Sequence, residues 1–319
     1  MQIRDFGRRI WYDVSWRVFA SGERSGLRHM NKYAAAVLSG GFCWGFMGFF
    51  TRHLAKYGIG PNEAIIVRCA VAAVCFGLLI LFTDPAGFKV RVKDFWCFAG
   101  TGLLSLLFFT FCYFHAISMM SLSAAAILLY TAPAIVVLLS AFLFNEKVTK
   151  VKAAALVLAF AGCCLVSGLG SDTMITAKGL LFGLGAGLGY ALYTIFSRYA
   201  LQRGYSSYTI NFYSCLLAAL GACVIWRPAG LALKMTSSAP AFWWCIATGV
   251  ISCFVPYLLY TYGLTGLENG RASVLASIEP VVASLIGVFI YHEKMTLTSA
   301  IGVLLVLSAI LLLNKKQSY

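Results

Sequence analysis

Glu279 and Pro280 stand in the middle of a mostly apolar stretch, residues 271–294, that is long enough to cross a bilayer. A carboxylate at that depth is expensive in hydrocarbon, so it must face a watery cavity or a cationic partner. Two kinds of chemistry follow: Glu279 takes a solute ammonium or a proton, or it holds a structural ion pair between helices. Pro280 lacks a backbone donor, and its ring frees the carbonyl of Ala276 for a ligand or a water. Arg68, a few residues into an earlier apolar stretch, is the natural counter-charge. It either binds a solute carboxylate, or pairs structurally, or snorkels to the headgroups beside Arg52 and Lys56. His115, near the end of another apolar stretch, is either a titrating sensor or a packing residue.

Aromatic residues are placed in two groups. Trp96, Trp226, Trp243 and Trp244 lie near the ends of apolar stretches and read as an interfacial belt. Trp44, Tyr113, Tyr130, Tyr190, Tyr193, Tyr257, Tyr260 and Tyr262 lie inside them. A tyrosine hydroxyl in hydrocarbon needs a partner, which is either another helix or the polar head of an organic solute. The candidate cavity set is Glu279, Trp44, Tyr190, Tyr193, Tyr130, Tyr113, Tyr260, His115 and Arg68, with Pro133 and Pro280 as helix kinks. No GxSxG, HExxH or paired aspartate is present, and the 11 cysteines show no CxxC spacing. The chain therefore reads as a non-enzyme with neither metal nor cofactor.

The elements that must position these residues are membrane helices. Hydrophobic residues are 61% of the chain and charged residues 11%, with a mean hydropathy of +0.84, against about 25% charged in ordinary soluble domains. That composition excludes the soluble class. The net charge of +14 calls for no nucleic-acid partner, because basic residues gather in cytoplasmic loops and face anionic lipid. Ten segments are long and apolar enough, or nearly so, to span: 33–55, 62–82, 94–117, 121–144, 151–168, 177–200, 208–226, 241–264, 271–291 and 298–313. Residues 1–32 form a basic, Trp-bearing tail that either lies on the membrane surface or precedes a natural start at Met30.

The chain repeats itself. At an offset of 147, Pro133 falls on Pro280, Glu146-Lys147 on Glu293-Lys294, Phe95-Trp96 on Phe242-Trp243, and Tyr113 on Tyr260. At an offset of 146, Trp44 falls on Tyr190, Arg52 on Arg198 and Cys69 on Cys215. Such agreement marks a duplication, with halves at 33–168 and 177–313 and a tail at 314–319. Five crossings per half force the second copy upside down, so the fold class is an all-α membrane protein of ten transmembrane helices in two inverted five-helix repeats. With the N-terminus inside, cytoplasmic loops and the C-terminal tail hold eleven basic residues against six outside, the leader apart, and both termini are then cytoplasmic. Glycines at 40, 41, 45 and 48, and at 183, 185, 187 and 189, are spaced for close helix contact. The fifth and tenth segments are plain apolar runs through which the protein either dimerises or stays a monomer.

Two fused five-helix halves, Trp44-Gly45 in the first helix, a proline in the fourth and ninth, and Glu-Lys closing both resemble the EamA family of the drug/metabolite transporter superfamily. The resemblance covers about residues 33–313. It implies a multi-pass carrier of the bacterial inner (plasma) membrane, often an exporter of amino acids, related metabolites or toxic compounds, with a central cavity between the halves. The expected partners are a small-molecule solute, the lipid bilayer and, in an antiporter, protons. The expected mechanism is alternating access about a midplane site. Proton-coupled multidrug efflux is the nearest rival, and a polytopic intramembrane enzyme the alternative from another class.

Overall fold

In a computed structural model, the structure describes residues 32–120, 122–167, 176–292 and 295–314, and the basic leader and the C-terminal tail lie outside them. Among the described residues the chain is almost wholly helical, with no strand. Among the described residues nine helices are long and apolar enough to cross a membrane, and a tenth apolar helix is shorter. In chain order they are α1 (Lys32–Ala55), α2 (Pro61–Thr83), α3 (Val92–Met119), α4 (Leu122–Leu129 with Ala132–Phe144), α5 (Lys150–Ser167), α6 (Ala177–Gln202), α7 (Ser207–Trp226), α8 (Ala239–Leu264), α9 (Asn269–Tyr291) and α10 (Leu297–Asn314). Their ends lie within two residues of the ten apolar segments. Local chemistry sets those ends: Pro61 opens α2, and the Glu63 carboxylate accepts from Gly60 N at 2.9 Å. Ser206 and Thr176 cap α7 and α6 with their hydroxyls.

The halves pack as the repeat requires. Helix α1 lies along α8 and α6 along α3, while α2 pairs with α7, α4 with α9 and α5 with α10. Exchanging the two halves maps this set of contacts onto itself, as inverted repeats about a pseudo-two-fold axis must. The irregularities repeat too. Helix α3 widens to a π-helix over Gly100–Leu107 and α8 over Val250–Phe254, at the matching depth. The second halves of α4 and α9 both end on a left-handed residue, Asn145 (φ 54°) and His292 (φ 55°), 147 positions apart.

Close approach is concentrated where side chains vanish. A Cβ on Gly162 would lie 2.7 Å from the Gly302 carbonyl, and one on Gly302 2.7 Å from that of Gly162, so α5 and α10 touch backbone to backbone. The faces of these two helices that meet through the glycines are therefore spent inside the chain. Gly189 likewise lets α6 meet the backbone of Phe109 on α3, where a Cβ would come within 2.9 Å. Gly48 departs from the expected pattern: nothing lies within 4 Å of its missing side chain, because α1 breaks just before it.

Candidate functional site

Three helices break near the middle of the bundle. Helix α1 is interrupted at Phe46, whose N–H reaches back three residues to the Cys43 carbonyl. Helix α4 breaks at Tyr130-Thr131, and α9 at Ser277-Ile278, where Ser277 N–H bonds the Val274 carbonyl. Pro133 and Pro280 enforce the latter two breaks, since each is the second residue of the half-helix that follows and neither can donate to the turn behind it. Glu279 is the first residue of its half-helix, where the unpaired N–H groups favour a negative charge.

Tyr190 of α6 reaches Glu279 and donates its phenol to Oε2 at 3.2 Å. It is also the wall between two small pockets. One is lined by Leu129, Tyr130, Ala132, Pro133, Tyr190, Ser273, Ala276, Ser277 and Glu279. The other is lined by Trp44, Ser105, Leu106, Phe109, Tyr190, Tyr193, Thr194, Tyr257 and Tyr260. Each has room for about one ordered water in this state. The rings themselves fill the space: Trp44 packs at 5.1 Å from Tyr257, 5.3 Å from Tyr260 and 6.3 Å from Tyr190. A cavity of solute size thus needs these walls to part.

Behind the second pocket is a buried polar net. Tyr193 donates to Asn211 Oδ1 and shares a 2.8 Å bond with Thr261, and Asn211 Nδ2 donates to the Tyr257 carbonyl at 3.1 Å. Tyr260 shares a 2.8 Å bond with Thr194. These bonds satisfy the hydroxyls of Tyr193 and Tyr260 and fix α6, α7 and α8 against one another.

The structure therefore brings together Glu279, Tyr190, Tyr130, Trp44, Tyr193 and Tyr260, with the two prolines at the breaks. It leaves three candidates outside both pockets. Tyr113 stacks on Phe109 at 5.9 Å, within the packing between α3 and α6. His115 turns Nδ1 to the Phe111 carbonyl at 2.8 Å and stacks on Phe182 at 5.0 Å. Arg68 does not snorkel: it is only 5% exposed, against Met47 Sδ, and its Nε has no hydrogen-bond partner.

Sequence reasoning placed Glu146 at a helix end but missed the contacts by which it and its neighbours join the halves at one end of the bundle. Glu146, at the end of α4, accepts from the N–H groups of Asn269 at 2.7 Å and Gly270 at 3.2 Å, the first two residues of α9. Lys152 at the start of α5 bridges Glu268 at 2.6 Å and Glu146 at 3.9 Å. Arg198 at the end of α6 donates from Nε to Asn269 Oδ1 at 2.7 Å and from its terminal nitrogen to the Leu267 carbonyl. The Glu-Asn-Gly turn before α9 was the available signal, because such turns leave helix N–H groups open to an acid from elsewhere. Among the described residues no group of histidine, cysteine and acidic side chains is arranged to hold a metal.

Known proteins share this architecture. A solved crystal structure, 16% identical, superposes with a TM-score of 0.75 over 88% of this chain and 95% of its own. An uncharacterized transporter of Archaeoglobus fulgidus is 35% identical over 214 residues, 66% of this chain and 75% of that protein. The uncharacterized transporter YwfM of Bacillus subtilis is 24% identical over 287 residues, 89% of this chain and 94% of its own length. The pattern of the EamA-like transporter family matches twice, over residues 31–168 and 177–315. The chain is a multi-pass membrane transporter and belongs to the EamA-like transporter family of the drug/metabolite transporter superfamily.

Proposed function

We propose that the protein exports small organic solutes, amino acids or related metabolites, across a bacterial inner membrane by alternating access, with both termini cytoplasmic. The five-helix units at 33–168 and 177–313 would rock about the Glu279 region, and the solute's ammonium would meet the Glu279 carboxylate. The observation that carries this reading is the Glu279–Tyr190 bond beside the breaks of α4 and α9. Discontinuous helices at the repeat interface are where secondary transporters hold their solutes, because broken backbone there lines a cavity. The asymmetry of the repeat supports a recognition role: Ala132 occupies the place matching Glu279, so one half alone supplies the acid.

A second reading, proton-coupled multidrug efflux, is favoured by the aromatic walls formed by Trp44, Tyr190, Tyr257 and Tyr260, which suit large apolar cations as well. Counterflow in proteoliposomes separates the two. Exchange of radiolabelled amino acids, unaffected by aromatic dye cations, supports the metabolite carrier; dye efflux driven by a proton gradient, with no amino-acid exchange, overturns it in favour of multidrug efflux.

A further inference from the structure

We propose that Arg68 is the carboxylate-recognising group of the solute site, so that the transported ligand is a zwitterion held with its ammonium on Glu279 and its carboxylate on Arg68. The inference rests on the reading that Glu279 faces the solute.

A guanidinium carries five N–H donors and never loses its charge in a protein. Arg68 is nevertheless buried, with one Nη donating to Met47 Sδ and with Nε unpartnered. Its near neighbours are the phenol of Tyr257 and the thiols of Cys69, Cys215 and Cys253, and the Glu279 carboxylate feels its charge from farther off. Glu279 is the mirror case: Tyr190 donates to it, and among the described residues Arg68 is the cation whose charge reaches it, without a direct ion pair between the two. Two opposite charges inside the bundle that sense each other but do not touch leave a desolvation cost that their attraction does not repay.

Helix α1 places the two on either side of one element. A Cβ on Gly45 would lie 3.0 Å from the Glu279 carbonyl, and Met47, two residues on, covers Arg68. Trp44 packs on Tyr190, the partner of Glu279, and also on Tyr257, the neighbour of Arg68. A simple cation entering between these walls would satisfy Glu279 alone, and a simple anion Arg68 alone. A zwitterion satisfies both and adds no net charge. Met47 is an unbranched, flexible cover that can swing from the guanidinium once the walls part.

The repeat breaks its own symmetry at these two places. Arg68 matches Ser214 at an offset of 146, and Glu279 matches Ala132 at 147. Each half contributes one charge. A ligand that bridges them ties the halves together, which is what a carrier needs if its loaded form is to move as a unit.

The test uses the purified full-length protein in proteoliposomes, with a panel of radiolabelled L-amino acids and, for each, the amine that lacks the carboxylate. In wild type the amino acid should exchange faster than its amine. Arg68→Gln should lower that preference at least about tenfold, the scale expected when a charge-assisted contact is lost, whereas Arg68→Lys should keep part of it. An unchanged preference in Arg68→Gln, by full retention or by equal loss of both, overturns the assignment. A wild-type measurement stands beside the variants: an amino-acid methyl ester should compete at least about tenfold less well than the free acid, and equal competition again overturns it. If wild type exchanges neither amino acids nor amines, the reading of Glu279 itself falls, and this inference with it.

Discussion

Glu146 closes one end of the bundle by accepting the N–H of Asn269 at 2.7 Å, an acid from the first half capping the first turn of a helix in the second. The bond satisfies a donor that α9 cannot satisfy itself, and it places a negative charge at the positive end of a helix. Lys152 and Arg198 complete the junction, with Lys152 only 8% exposed. The halves cannot separate at this end without breaking these bonds together.

Glu146→Ala should therefore loosen that end while leaving the distant helices intact. Loss of a largely buried charged acceptor is worth about 1.5–3 kcal/mol, so hydrogen exchange at Asn269 and Gly270 should speed up by roughly tenfold or more. Exchange at wild-type rates would show that the junction is held elsewhere.

Tyr190→Phe removes the donor to Glu279 and keeps the ring. The effect on solute exchange should be modest, about two- to tenfold, in line with a net hydrogen-bond contribution of about 0.5–1.5 kcal/mol. A complete loss of exchange would mean that the phenol itself does chemistry on the solute.

Gly162→Leu or Gly302→Leu should destabilise the fold by about 1–3 kcal/mol or more, since the added atoms meet backbone that cannot move aside. Gly48→Ala, facing open space, is the internal control and should melt within a degree or so of wild type. Thermal unfolding in detergent reads both. A Gly162→Leu protein as stable as Gly48→Ala would contradict the backbone contact of α5 with α10.

Membrane orientation is open to direct measurement. Cysteines replacing Lys89 and Lys150 should react with an impermeant thiol reagent only from the cytoplasm, and those replacing Asp172 and Lys178 only from outside. The reverse pattern would invert the topology.

Much of this architecture was legible because hydropathy alone dictates where a helix must be to keep its backbone bonded in lipid. The duplication was legible because sparse residues such as Pro133 and Pro280 recur at one offset. The π-helical stretches of α3 and α8 were not, since a single extra residue per turn leaves no mark in a run of uniformly apolar residues. The break of α1 at Phe46 was hidden for the same reason, with no proline to announce it.

The site was legible in its parts and obscure in its assembly. Glu279 stood out because an acid inside a span demands a reason. Its partner Tyr190 was one tyrosine among several, and only folding shows which of them reaches the carboxylate. Arg68 looked close enough to a helix end to reach headgroups, but α1 and α8 cover it. In the sequence Glu146 simply closes a helix, and only folding sets it against a turn 123 residues away.

The most direct measurement is solute exchange and accumulation in proteoliposomes by wild type and Glu279→Gln, with and without an imposed pH gradient. The variant should fold as wild type does and lose at least about tenfold in exchange, because its amide keeps the shape and removes the charge. Loss of gradient-driven accumulation would make Glu279 the coupling site of an antiporter, and wild-type exchange indifferent to the gradient would make it the recognition site of a facilitator. Unaltered transport by Glu279→Gln, across solutes and pH, would contradict a role for Glu279 in either.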